Sequence, residues 1–97
     1  MSKITASAKS ELCTVRITGH CNGNSDTVVL AHLSGIRYGH GTGQKVNDIH
    51  GAYCCSSCHD ILDGRVKSNH NRDSLKLWHL EGVIETQIKM INKGLIK

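Results

Sequence analysis

The segment CCSSCHD, residues 54–60, constrains this chain more than any other part of its sequence. It contains a Cys-x-x-Cys-His pattern, and two further cysteines, Cys13 and Cys21, lie far upstream. The pattern alone is compatible with a covalently attached haem, a redox-active dithiol or half of a zinc site. Each alternative places different demands on the surrounding chain, so the rest of the sequence has to discriminate among them.

The chain has few aromatic residues from which to build a hydrophobic core. Its 97 residues suggest a single domain over 1–97, and they include no Phe, one Trp (Trp78) and two Tyr (Tyr38 and Tyr53). A short chain also buries a smaller share of its surface on folding than a longer one does. We therefore expect a metal or disulfide cross-link to add stability that the core does not provide.

The cellular compartment decides between a metal and a disulfide. The N-terminal stretch MSKITASAKSELC has no apolar run of signal-peptide length, and no part of the sequence approaches the roughly 18 apolar residues of a membrane span. We therefore expect a cytoplasmic protein without a membrane partner. In a reducing cytoplasm, paired cysteines are more often metal ligands or redox groups than structural disulfides.

The charge of the chain permits a nucleic-acid partner without demonstrating one. The formal net charge is +4, and four basic residues follow the cysteine-rich segment within a short distance. A mildly basic surface is compatible with phosphate binding. The same charges on their own are more typical of a solvated surface. The four basic residues are Arg65, Lys67, Arg72 and Lys76.

The hydrophobic pattern predicts an α+β fold. Residues 1–10 are polar and are expected to be flexible, and residues 13–21 alternate as in a short strand or a zinc knuckle. Residues 26–35 form a second strand candidate, the Gly-rich residues 35–48 a loop, and residues 49–54 a brief strand or turn. A helix then begins with Ser56 or Ser57 as its N-cap and ends near Gly64.

The clearest predicted element is an amphipathic helix over 72–94. Asn71, Asp73 or Ser74 is the expected N-cap, and Gly94 follows as a stop signal. Apolar residues recur along it at three- and four-residue spacing, and we expect this face to pack against the core. A partner groove is the alternative for the same face. The recurring residues are Leu77, Leu80, Ile84, Ile88 and Ile91.

Zinc accounts for more of the cysteines than haem or redox chemistry does. Haem attachment belongs to exported proteins and would leave Cys13 and Cys21 unexplained, and the chain lacks the βαβ pattern of a thioredoxin-like dithiol. Cys13 and Cys21 bracket a turn, whereas Cys55 and Cys58 open a helix, so the two pairs can supply four thiolates to one structural Zn²⁺. Cys54 is then a buried spare thiol, with exchange against Cys55 as the alternative.

His59 and Asp63 suggest a second metal site beside the first. Consecutive helical residues point about 100° apart, so His59 faces away from a zinc ion held by Cys58, and Asp63 returns to the face of His59. A histidine and a carboxylate at this spacing can form part of an open metal site. An ordinary surface pair between the two side chains is the alternative.

The order of these residues resembles the HNH endonucleases. A cysteine pair is followed by a histidine at a strand end (His32 in LAHLSG), a glycine-bearing loop, an Asn-Asp pair (Asn47 and Asp48) and a Cys-x-x-Cys-His that opens a helix. More closely, the chain resembles the short HNH nucleases of phages and prophages, and the resemblance covers residues 11–66. It implies a zinc-bound treble clef carrying a ββα-metal motif, followed by the C-terminal helix.

The resemblance also implies a role for each matching residue. His32 would be the general base for hydrolysis of a DNA phosphodiester, and His59 would hold a catalytic divalent ion, either Mg²⁺, Mn²⁺ or a transition metal. Ala31 stands where the family often has an aspartate ligand, so Asp63 or Asp48 would supply the carboxylate. Asp48 would alternatively orient His32, and His50 competes with it for that position.

The implied partner is DNA in the cytoplasm of a bacterial host, and a homodimer is compatible with the apolar terminal helix. Four basic residues would contact phosphates on either side of the active site: Arg37, Lys45, Arg65 and Lys67. The alternative from another class is a non-catalytic treble-clef zinc module that binds DNA or a protein. Both alternatives require a structural zinc, but only the nuclease requires a second, catalytic metal.

Overall fold

A computed structural model of the chain describes residues 3–33 and 48–95. It has the small α+β architecture expected from the sequence, with a two-stranded sheet and three helices. The helices are α1 (Lys3–Ser7), α2 (Ser56–Leu62) and α3 (Arg72–Asn92), and the strands are β1 (Val29–His32) and β2 (Gly51–Cys54). Two 3₁₀ turns, Ser25–Thr27 and Asp48–His50, precede the two strands.

The two strands form the centre of the fold. They pair antiparallel with Leu30 opposite Tyr53 and His32 opposite Gly51. All four residues of β2 are buried, whereas Val29 and His32 at the ends of β1 are exposed. β1 therefore ends at His32, whose side chain reaches solvent at this end of the sheet.

The free edge of β2 is covered by side chains and backbone from two other parts of the chain. The backbone N–H of Thr14 donates to the carbonyl oxygen of Tyr53 at 2.7 Å, and the hydroxyl of Thr86 accepts from the N–H of Tyr53 at 2.9 Å. The hydroxyls of Thr14 and Thr86 also lie 3.0 Å apart. These bonds satisfy polar groups that burial would otherwise leave without partners, and they fix α3 against the sheet.

Residues 13–21 do not form a strand, so that alternative of the sequence prediction is wrong. The backbone is broken by positive φ angles at Arg16 (49°) and Gly19 (81°). Val15 and Ile17 are buried as their alternation with Arg16 suggests, although Thr14 is buried as well. The segment instead turns at Cys13, whose Sγ accepts a hydrogen bond from the N–H of Arg16 at 3.4 Å.

The face of α3 that packs on the core overlaps only in part with the one predicted: of the five recurring apolar residues, Leu80 alone packs against the core. Its buried residues are Gly82, Val83, Thr86 and Met90. Leu77, Ile84, Ile88 and Ile91 are instead 58%, 60%, 56% and 54% exposed. The small residue Gly82 and the hydroxyl of Thr86 fit against Thr14, Val15 and β2, where larger apolar side chains would not.

The ends of the elements differ from the sequence prediction in detail. The N-cap of α2 is Cys55, in place of Ser56 or Ser57, and its Sγ accepts from the N–H of Cys58. Asn71, one of the three N-cap candidates, does cap α3, and its side chain accepts a 2.7 Å hydrogen bond from the N–H of Ser74. Within residues 1–10, for which the sequence predicts flexibility, α1 forms and Ala8 is buried at 1% exposure.

None of the helices in the described ranges combines the length and hydropathy needed to cross a bilayer.

Candidate functional site

Four cysteines from two distant parts of the chain converge on one point. The Sγ atoms of Cys13, Cys21, Cys55 and Cys58 all lie within 4.8 Å of one another. Cys13 lies in the irregular segment 13–21, and Cys55 and Cys58 are at the start of α2. The four residues are the set that the sequence assigns to one metal, and their arrangement can bind a metal such as zinc.

The geometry and surroundings of the cluster fit a tetrahedral ion. Zn–S bonds of about 2.3 Å at tetrahedral angles require sulfur atoms about 3.8 Å apart, and the sulfurs of Cys21 and Cys55 are separated by 3.8 Å. The thiolate ligands also have backbone donors at 3.4 Å: Arg16 N–H to Cys13, Ile17 N–H to Cys58, and Cys58 N–H to Cys55. Such donors stabilise negative charge on metal-bound sulfur.

Cys54 lies beside this cluster without belonging to it. It is fully buried at the end of β2, and its thiol donates to the carbonyl oxygen of Cys55 at 3.5 Å. Hydrogen bonds from Cys54 and Cys58 lower the pKa of the Cys13 thiol, while the contact with Cys13 raises the pKa of Cys54. Cys54 thus acts as a neutral neighbour of the four converging thiols.

A second group of residues surrounds the exposed end of β1. The Nε2 atom of His32 lies 2.7 Å from Oδ1 of Asp48. Asp48 begins the 3₁₀ turn that leads into β2, so the pairing of the two strands brings these residues together across a gap of 16 positions. Both side chains are partly exposed, at 36% and 30%. The contact therefore joins a histidine to a carboxylate at a solvent-accessible edge.

His59 and Asp63 form the second histidine–aspartate pair, on α2. Nε2 of His59 lies 3.4 Å from Oδ2 of Asp63, one helical turn away. The side chains are 30% and 40% exposed, and the guanidinium of Arg65 lies 3.5 Å from the same oxygen of Asp63. The structure thus brings together the two residues that the sequence proposes as metal ligands, with a cation close to the carboxylate.

His79 is a member of this region that the sequence prediction missed. It lies on α3, its side chain is partly buried, and its Nε2 is 2.8 Å from the carbonyl oxygen of Ala31. Burial lowers the pKa of His79, and the charges of His59, Asp63 and His32 also influence it. Burial thus favours the neutral imidazole, and the contact with Ala31 places His79 against the backbone immediately before His32.

The helical spacing of α3 contains a sequence signal for His79. Counting back from Met90, Thr86, Val83 and Gly82 along the helix at three- and four-residue steps leads to position 79. His79 thus shares the buried face of α3. The apolar repeat at Leu77, Ile84 and Ile88 is stronger and predicts a different buried face.

The proposed phosphate contacts lie in different environments. Arg65 is in contact with Asp60 and Asp63 at 3.4 and 3.5 Å. Lys67 lines a cavity of about 630 Å³ together with Arg72, Lys76 and His79. Arg37 and Lys45 lie outside the described residues. Basic side chains therefore line the cavity that borders Asp63 and His79.

The fold and the cysteine cluster define a class: a small α+β protein with four converging cysteines that could hold a metal ion and with two histidine–aspartate pairs. A family model described as "Putative nuclease YbcO" matches residues 2–95. The chain therefore belongs to this family.

Similar proteins and a similar structure agree with this assignment. The chain is 41% identical over 101 residues to "Putative nuclease YbcO" of Escherichia coli (strain K12), covering 100% of this chain and 99% of that protein. A "Putative nuclease ybcO" of Enterobacteria phage 82 matches with the same identity and coverage. The solved "Structure of a putative bacteriophage protein from Escherichia coli str. K-12 substr. MG1655" is 36% identical with a TM-score of 0.78, covering 93% of this chain and 98% of that one.

Proposed function

We propose that the chain is a metal-dependent DNA endonuclease of the HNH type, acting in the cytoplasm of a bacterial host cell. The nuclease description of its family and relatives gives the reaction class. The observation that carries the mechanism is the 2.7 Å contact between His32 and Asp48 at the exposed sheet edge. A histidine oriented by a carboxylate is the arrangement that a general base requires.

In this proposal Asp48 fixes the tautomer of His32. The carboxylate accepts a hydrogen bond from Nε2–H, so the lone pair of the neutral imidazole is on Nδ1. Nδ1 then takes a proton from water while the water oxygen attacks the phosphorus of a DNA phosphodiester. The negative charge of Asp48 stabilises the imidazolium that results. The bond from phosphorus to the 3′ oxygen breaks, and the departing oxygen takes a proton from solvent water, which leaves 5′-phosphate and 3′-hydroxyl ends.

His59 and Asp63 are the proposed ligands of the catalytic metal. An imidazole nitrogen and a carboxylate oxygen suit Mn²⁺ or a transition metal, and the carboxylate also suits Mg²⁺. A divalent ion held there would neutralise negative charge on the pentacovalent phosphate and on the leaving oxygen. Asp63 fills the place left by Ala31, because its contact with His59 supplies the missing carboxylate.

The remaining parts of the proposal concern support and binding. The four-cysteine centre holds a structural zinc in a treble clef, which fixes the start of α2 and thereby His59. His79 positions His32 through its bond to the carbonyl oxygen of Ala31. Arg65 and Lys67 contact DNA phosphates without reading sequence, and Arg37 and Lys45 are proposed for the same role.

Cleavage of supercoiled plasmid by the zinc-loaded protein tests the proposal. We expect nicked or linear DNA with Mg²⁺, Mn²⁺ or a transition metal and none after the added metal is chelated. His32→Ala should lower the rate by at least about 100-fold, whereas His20→Ala, a matched change outside the site, should not. Absence of cleavage with every metal by a folded, zinc-loaded sample would instead favour the non-catalytic zinc module.

A further inference from the structure

The exposed face of α3 carries a continuous row of large apolar side chains, here called the apolar stripe: Leu77, Ile84, Ile88 and Ile91. Each of the four is more than half exposed, at 58%, 60%, 56% and 54%. Their spacings of seven, four and three residues keep them on one side of the helix. Single exposed apolar residues are ordinary on protein surfaces, but a contiguous group of this kind marks an interaction site.

A groove beside the apolar stripe extends it. Its volume is about 520 Å³, and it lies between residues 14–16 and α3, with Trp78, Ile84 and Ile88 among its lining residues. The charged side chains in this lining are Glu81, Glu85 and Arg16. Arg16 is already paired with Glu85 through two bonds of 2.6 and 2.9 Å. The surface therefore does not favour a DNA phosphate backbone, and a protein surface is the better match.

The positions of the apolar residues are symmetric about Ile84. Leu77 and Ile91 lie seven residues before and after it, while Leu80 and Ile88 lie four residues before and after it. If two copies of α3 cross antiparallel at Ile84, Leu77 of each copy meets Ile91 of the other, and Leu80 meets Ile88. Every residue of the apolar stripe then faces an apolar side chain of the other copy, with Ile88 meeting the exposed part of Leu80, which also packs against its own core. This is the self-complementarity that a two-fold interface requires.

We propose that the apolar stripe is a self-association surface through which two copies of this chain pair antiparallel about a two-fold axis at Ile84. From Leu77 to Ile91 the contact extends over about 21 Å of helix. The antiparallel arrangement also places each helix's N-terminal end beside the other's C-terminal end, where the opposite ends of the helix dipoles attract.

This pairing leaves the candidate active site open. His79 is five residues from Ile84, so it points about 140° away from the apolar stripe around the helix axis. His79 accordingly faces the sheet through its bond to the carbonyl oxygen of Ala31. The two sites of the pair then lie on outer faces, and the proposal does not depend on the nuclease assignment.

The first test is the molar mass of the zinc-loaded chain. Sedimentation equilibrium or light scattering at about 100 µM should give twice the chain mass of 10.6 kDa. Ile84→Lys puts two like charges at the two-fold axis and should weaken association at least tenfold. Leu12→Lys, at another exposed apolar residue (65% exposed), is the matched control and should not. A monomeric or trimeric wild type, or a dimer that Ile84→Lys leaves unchanged, would overturn the proposal.

A second test examines the antiparallel direction. Leu77→Glu and Ile91→Lys should each weaken self-association, because a charge is brought against an apolar partner. When these two variants are mixed, one end of the heterodimer pairs the two introduced opposite charges and the other end keeps the original apolar pair. We therefore expect the mixture to dimerise at least tenfold more tightly than either variant alone. Failure to recover association would exclude antiparallel pairing and with it the proposal.

Discussion

At the scale of single residues, the proposed chemistry depends on a histidine whose tautomer is set by a neighbouring carboxylate. His32 is exposed enough to reach water, and its Nε2 contacts Asp48 at 2.7 Å. A carboxylate in this position determines which imidazole nitrogen carries the proton and favours the charged form during proton transfer. An uncharged amide at position 48 would preserve the size of the side chain but lose the negative charge.

Asp48→Asn isolates the contribution of that charge. We expect the single-turnover rate of plasmid cleavage to fall roughly 100-fold at saturating metal, because the imidazolium of His32 is no longer stabilised. Thermal unfolding should change little, since asparagine has the same size and its side chain can still bond to Thr5 and His32. Asp60→Asn is the matched control, because Asp60 on α2 is also a partly exposed carboxylate and is paired with Arg65. A full cleavage rate in Asp48→Asn would contradict the assigned role of Asp48.

Contacts that depend on local spacing could be predicted from the sequence. The converging cysteines follow from a Cys-x-x-Cys unit at a helix start, and the contact of His59 with Asp63 follows from their four-residue separation. His79 could not be assigned in the same way. Its place beside Ala31 depends on which face of α3 meets the sheet, and that is a tertiary property.

At the scale of elements, the packing of α3 is decided by its smallest residue. An added Cβ at Gly82 would lie 2.9 Å from Cγ2 of Val15 and 3.3 Å from the Cα of Val15, which is backbone. The carbonyl oxygen of Gly82 also accepts a 3.0 Å bond from the hydroxyl of Thr14. Periodicity alone predicts that the isoleucines of α3 face the core. It records which residues are apolar, but not where another part of the backbone packs closely against the helix.

Gly82→Ala should therefore destabilise the chain although alanine is the better helix former. The gain in helix propensity is about 1 kcal/mol, whereas overpacking against backbone costs about 1 to 3 kcal/mol. We expect a net loss of roughly 1 kcal/mol in the free energy of unfolding, measured by denaturant titration of zinc-loaded protein. Glu81→Ala, one position earlier and outside this contact, should be nearly neutral. Stabilisation by Gly82→Ala would mean that α3 packs differently.

The pair of Arg16 with Glu85 connects the cysteine-bearing segment 13–21 to α3. The guanidinium of Arg16 lowers the pKa of Glu85 below its usual value near 4.5. Because the folded-state pKa is the lower one, the stability that this carboxylate contributes is present above about pH 4.5 and is lost as the pH falls through the lowered pKa. Both side chains are well exposed, which limits the contribution to less than about 1 kcal/mol.

Glu85→Gln should consequently reduce stability at pH 7 but not in acid. The difference in unfolding free energy between wild type and variant is expected to shrink towards zero as the pH falls well below 4.5. Denaturant titrations of both proteins over this pH range measure the difference directly. Glu81→Gln, one turn earlier on α3, is the control and should show a smaller dependence. A wild-type advantage that grows on acidification would contradict the pairing.

At the scale of the whole molecule, the cysteine centre joins two parts of the chain that are far apart in sequence. Cys13 and Cys21 belong to a segment without regular structure, and Cys55 and Cys58 belong to the helix that carries His59. The α+β class and this long-range connection could be predicted from the sequence, because a metal site requires its ligands to meet wherever they lie along the chain. The orientation of α3 could not, because either face is apolar enough to be buried.

The last prediction concerns metal stoichiometry and folding. We expect one zinc ion per chain by elemental analysis, and Cys58→Ala should abolish this binding because it removes one of the four converging thiols. Ligation of structural zinc supplies folding free energy on the order of 10 kcal/mol, so Cys58→Ala and the chelated wild type should both lose cooperative thermal unfolding. Cys54→Ala is the matched control, since Cys54 is equally buried but lies outside the four. Cys54→Ala should keep one zinc ion and a cooperative transition. Zinc loss in Cys54→Ala, or zinc retention in Cys58→Ala, would show that Cys54 is a ligand.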